Sequence, residues 1–98
     1  MLRLSQLQAL KILENINICL GSLKNSIREI MIAIDGNEIQ FNKARRQGLE
    51  LVKEFDKYSK LANRIIEKYL NDVINCEPIK NLSSIVSIFN EYKPFFQN

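Results

Sequence analysis

Leu13, Ile16, Leu20, Leu23, Ile27, Ile30 and Ile34 stand alternately three and four residues apart. At about 3.6 residues per turn a helix gathers all seven into one seam, whereas a strand would scatter them over two faces. Three unbroken heptads call for a second helix of similar length alongside. Ala9 and Leu2 extend the seam upstream, with Gln6 interrupting it. Ile12, Cys19 and Ala33 widen it on one flank, and Leu10 and Met31 on the other. A stripe of that width faces more than one neighbour.

The second helix follows almost at once. "DGN", residues 35 to 37, stops the pattern: Gly36 can take the left-handed conformation that ends helices, and Asn37 is a good N-cap. Beyond it Phe41, Ala44, Gly48, Leu51, Phe55, Tyr58, Ala62, Ile65 and Tyr69 repeat the three-four spacing, with Val52, Ile66 and Val73 broadening the stripe. "CEPIK" breaks the chain again, and Pro78 suits the first turn of a new helix. That third helix carries Ile79, Leu82, Ile85, Val86, Phe89 and Tyr92. Pro94 is expected to end it, because the residue before a proline avoids helical geometry. "FFQN" is then a short tail. The expected fold is a single all-α domain over residues 1–98. It comprises a long antiparallel hairpin (about 2–34 and 38–75) and a shorter third helix (about 78–92), completing a helical bundle as a dimer.

Composition agrees with that reading. The chain has 3 Gly and 2 Pro, is 46% apolar and 26% charged, and carries a net charge of +3. Its longest apolar run, residues 30 to 34, is far too short for a membrane span. The first residues alternate polar and apolar and lack the solid apolar region of a signal peptide. A soluble, cytoplasmic protein is therefore expected.

A third helix of about 15 residues spans only about 22 Å. Folded back from the open end of the hairpin, it would leave the turn end bare. The expected interface is accordingly Leu20, Leu23, Ile27, Ile30, Ile34, Phe41, Arg45, Gly48, Leu51 and Phe55. A second copy could cover them by twofold symmetry, a helix of another protein could lie in the groove, or the helices could bend into a compact monomer. Gly48 would let another helix approach closely, and Arg45 borders the surface.

Catalytic chemistry finds little support. The chain has no histidine, so the commonest general base and metal ligand is missing. Its three glycines, at 21, 36 and 48, form no phosphate loop. No enzyme activity, cofactor, metal or small-molecule substrate is expected. The hairpin geometry separates Cys19 from Cys76 by roughly 35 Å, far beyond disulfide reach. Two free thiols are expected, Cys19 buried as a small apolar residue and Cys76 the more reactive.

Arg46, Lys53, Lys57, Lys60 and Arg64 lie opposite the seam of the second helix, with Lys43 near its start. These six are candidate anion-binding residues, able to track phosphates. Interleaved acids argue instead for a solvated face with local pairs Glu50–Lys53, Glu54–Lys57 and Asp56–Lys60. The helix's aromatics lie in the seam, so none is placed to stack on bases. The expected function is a non-enzymatic protein–protein interaction module, an adaptor, chaperone, immunity or regulatory factor acting through the apolar surface at the turn end. A nucleic-acid-binding regulator using the basic stripe is the alternative.

Overall fold

A computed structural model describes residues 2–36, 40–73 and 75–97. Three helices account for nearly all of them: α1 (Leu4–Asp35), α2 (Phe41–Tyr69) and α3 (Glu77–Gln97). The molecule is a rod of 53 × 18 × 18 Å. That length is set by the 32 residues of α1, which at about 1.5 Å each span about 48 Å.

Helix α1 starts where Gln6 reaches back, its Oε1 accepting a hydrogen bond from the Arg3 backbone N–H at 3.0 Å. Its Nε2 donates to Asp72 Oδ1 at 2.8 Å, so the residue that interrupts the seam is buried with both ends of its amide satisfied. At the other end the Gly36 N–H donates to the Ile32 carbonyl at 2.9 Å. Gly36 has φ −79° and ψ 0°, so the helix ends without the left-handed conformation expected there. The expected N-cap, Asn37, lies outside the described residues; α2 is preceded by Gln40 and starts at Phe41, not at 38. It also ends at Tyr69, six residues before the expected 75.

The seam forms the core. Leu13, Leu20 and Ile27 of α1 and Ala44, Val52, Phe55 and Ala62 of α2 are essentially sealed from solvent. Burying a Leu, Ile or Phe side chain contributes about 1.5–3 kcal/mol, so this row dominates the stability of the hairpin.

Helix α3 departs from expectation in length and in position. It does not stop at residue 92: Pro94 sits inside it, and Phe95 and Phe96 belong to its last turns. Proline removes one backbone donor, leaving the Asn90 carbonyl without its helical partner. Asn90 is an exposed residue, where solvent can take the place of that bond. Against this local cost stands the burial of Phe96, fully enclosed, and of Phe95, half enclosed, together about 3–5 kcal/mol. Packing outweighs the local preference of Lys93.

Its position follows from the connection. Asp72 is held beside Gln6, yet the Pro78 carbonyl accepts a hydrogen bond from Asn17 Nδ2 at 2.9 Å. Eleven residues of α1 rise about 16 Å, and six extended residues can cover about 20 Å. The chain therefore advances along α1 before α3 begins. From there α3 reaches toward the turn end, where Phe89 stacks on Phe55 with centroids 3.7 Å apart. Lys93 Nζ bonds Asp56 at 3.2 Å, and the Phe96 ring lies directly on the backbone of Gly48. The turn end is thus covered on one side, and the expectation of a bare turn end is corrected.

Gly48 has no room for a Cβ, because Phe96 occupies that space. Gly48→Ala should destabilise the protein by about 1–3 kcal/mol in urea unfolding, although alanine is otherwise worth about 1 kcal/mol in a helix. With Phe96→Ala, which alone should cost about 3–5 kcal/mol, the Gly48 change should become stabilising. A stabilising Gly48→Ala in the parent would contradict the contact. Asn17 gives a second test, since its Oδ1 is buried without a partner. Asn17→Asp sets a charged acceptor against the Pro78 carbonyl, so thermal unfolding at neutral pH should show a loss of about 2 kcal/mol or more.

Candidate functional site

Helix α3 covers one flank of the hairpin; the other flank stays open. On α1 the open side carries Ile12, Cys19, Leu23 and Ile30, which share one helical face at about 3.6 residues per turn. On α2 it carries Leu51, Tyr58, Leu61, Ile65 and Tyr69. Two depressions mark the ends of the groove between them. One, of about 610 Å³, is lined by Ser26, Ile30, Gln47, Glu50, Leu51 and Glu54. The other, of about 230 Å³, is lined by Ser5, Gln8, Ala9, Ile12, Ile65 and Tyr69. Cys19, Leu23 and Tyr58 fall between them along the same rows.

Ile12 is 50% exposed, Leu61 40% and Tyr69 38%, while Leu23, Ile30, Leu51, Tyr58 and Ile65 are half-buried. Apolar side chains therefore recur along the groove from one depression to the other, among Ser5, Gln8, Ser26 and Gln47. The α2 rim of the groove is charged, with Glu50 and Glu54 toward the turn and Lys68 toward the open end, where Lys68 Nζ lies 5.3 Å from the Tyr69 ring centre. Leu4, Leu7, Ile18 and Ile32 are exposed on the outer side of α1, but Lys11, Glu14, Asn25 and Glu29 separate them. Scattered apolar residues of that kind are ordinary, whereas a continuous strip is not.

The ten expected interface residues divide. Leu20, Ile27, Gly48 and Phe55 are buried inside the single chain, Gly48 and Phe55 against α3. Gly48 and Phe55 cannot meet a partner without α3 leaving. Leu23, Ile30 and Leu51 lie in the open groove, and Ile34 is half-buried beyond its turn-end depression. Phe41 is exposed at the start of α2. Arg45 is half-buried and shares a helical face with Asp56, on the α3 side of α2, so it does not border the open groove.

All six candidate anion-binding residues, Lys43, Arg46, Lys53, Lys57, Lys60 and Arg64, are exposed on α2. Lys53 Nζ reaches Glu50 at 3.4 Å, as expected of a local pair. Asp56 pairs with Lys93 of α3 instead of Lys60, so that acid fastens the bundle and leaves the stripe.

The groove residues that sequence reasoning left out of the interface are Ile12, Cys19, Tyr58, Leu61, Ile65 and Tyr69. For Ile12 and Cys19 the signal was the flank that widened the α1 seam; Tyr58, Ile65 and Tyr69 stood in the α2 stripe, and Leu61 in neither. The widened flank points to a second neighbour, but not to which flank α3 takes. Among the described residues no group of three His, Cys, Asp or Glu is arranged to hold a metal, and no helix is long and apolar enough to cross a membrane. No protein-family model, curated protein or solved structure matches this chain.

Cys19 and Cys76 are both free, but their order is reversed: Cys19 is exposed and Cys76 half-buried. Cys19 stands on the open flank, which α3 does not cover. In dilute native protein a thiol reagent should modify Cys19 several-fold faster than Cys76, and denaturant should equalise them. Faster modification of Cys76 would show that the flank is closed.

Proposed function

We propose that this protein is a non-enzymatic interaction module whose working surface is the open groove of the α1–α2 hairpin. The observation that supports it is the row of exposed and half-buried apolar side chains on one flank, from Ile12, Ile65 and Tyr69 in one depression to Ile30 and Leu51 in the other, with Leu23 and Tyr58 between. Exposed strips of that extent on soluble proteins mark binding surfaces. A helix is the natural occupant, because two parallel ridges of side chains with a trough between them accept a third ridge. The role is that of an adaptor, chaperone, immunity or regulatory factor, which binds without changing its partner covalently. Of the surface expected at the turn end, Leu23, Ile30 and Leu51 belong to this groove, while α3 covers Gly48 and Phe55.

The exposed cations of α2 support the alternative of nucleic-acid binding, and one experiment separates the two. Immobilised protein is offered either further protein, its own chain included, or random-sequence duplex at low salt. Retention of protein should fall at least tenfold with Ile12→Glu, and should resist nuclease and moderate salt. It should be unchanged by Lys57→Glu with Arg64→Glu. Salt-sensitive retention of duplex that the lysine and arginine changes abolish, and Ile12→Glu does not, would replace this reading with the alternative.

A further inference from the structure

We propose that the occupant of the groove is a second copy of this chain, packed face to face and antiparallel about a twofold axis beside Cys19. The inference rests on the reading of the groove as an interaction surface and names its partner.

Three observations carry it. The first is size. From Ser5 to Ile30 the groove is roughly 37 Å long, and the molecule is 18 Å across. With that full width in contact the face is on the order of 650 Å² per copy at most, about 1,300 Å² for two, which reaches the lower end of the range of about 1,200–2,000 Å² for specific interfaces.

The second is charge. Glu50 and Lys68 lie about five helical turns apart on α2, so they share the same rim of the groove. Their midpoint is near residue 59. Turning one copy end over end about that level sets Glu50 over Lys68 of the second copy, and Lys68 over its Glu50. The acidic end of each groove, with Glu54 beside Glu50, meets the basic end of the other. Exposed pairs of this kind contribute little energy; they select the antiparallel arrangement over the parallel one, which sets these acids against Ser22, Asn25 and Glu29.

The third is the apolar register. An axis one residue nearer the turn, at residue 58 and about 1.5 Å away, places Leu51 against Ile65 of the second copy and Tyr58 against Tyr58. On α1 the level of residue 59 is fixed by the Gln6–Asp72 hydrogen bond, and it falls at Cys19. Cys19 is exposed, shares the open face with Ile12, and so meets Cys19 of the second copy at the axis. Axes within about three residues of one another thus serve the α2 charges, the α2 apolar pairs and the midpoint of the α1 groove. The four hairpin helices then form a bundle, with the two α3 helices on its outer faces.

The test uses the full-length chain. Sedimentation equilibrium from micromolar to millimolar concentration should show a monomer–dimer equilibrium. Ile12→Glu should weaken it at least tenfold while leaving helical circular dichroism unchanged. Glu50→Lys should weaken it, and adding Lys68→Glu should restore it. Mild oxidation with diamide, which takes two hydrogens from two thiols to leave one disulfide, should crosslink the Cys76→Ser protein through Cys19. It should not crosslink Cys19→Ser. Alkylation of Cys19 should slow as concentration rises. A single-chain mass throughout would overturn the dimer, as would crosslinking through Cys76 alone or a charge swap that restores nothing. If that monomer still retained a different protein in an Ile12-dependent way, the proposed function would stand and this inference would fall. Loss of both would remove both.

Discussion

The Phe96 ring resting on Gly48 is the contact on which the rest of the arrangement depends. It requires a residue without a Cβ on α2 and an aromatic two positions past a proline on α3. Because both are present, α3 runs through Pro94 to the turn end. Phe89 can then stack on Phe55, and Lys93 can reach Asp56. Each of these holds α3 to the same flank of the hairpin. Without the ring on Gly48 the last turn of α3 would have little to bury, and the cost of the proline would end the helix earlier.

A helix committed to one flank leaves the other. The α1 stripe is too wide for a single neighbour, and three helices supply α1 with two: α2 along the seam and α3 along the Asn17 side. Ile12, Cys19, Leu23 and Ile30 face the side that receives none. The hairpin is stable with that side open because its sealed row, from Leu13 to Ile27 and from Ala44 to Ala62, lies between the helices and not on the flank. The open groove therefore follows from the asymmetry of packing around α1.

Much of this was legible from residue spacing. The seam from Leu13 to Ile34, the turn near Gly36 and the matching stripe from Ala44 to Tyr69 all follow from periodicity, because local spacing fixes which residues share a face. What was not legible was long-range. Pro94 reads locally as a stop, and only the distant gap at Gly48 makes continuation worthwhile. The start of α3 beside Asn17, about two-fifths of the way along α1, depends on a connection that advances along the rod, which no periodic signal records. A third helix that ends short of the turn makes Leu20, Ile27, Gly48 and Phe55 read as surface, and the flank position of Cys19 makes it read as core. The signal for a second neighbour was in the widened flank at Ile12 and Cys19, but a flank does not say which partner fills it.

The seating of α3 can be read directly by proton nuclear Overhauser effects in solution, which report hydrogens within about 5 Å, the range of packed side chains. Strong cross-peaks should join the Phe96 ring to the Gly48 α-protons and the Phe89 ring to the Phe55 ring, with none from any α3 side chain to Ile12 or Cys19. Cross-peaks from Phe89 or Phe96 to Ile12, Cys19 or Tyr69, with Gly48 free of aromatic contacts, would put α3 in the groove and contradict the account.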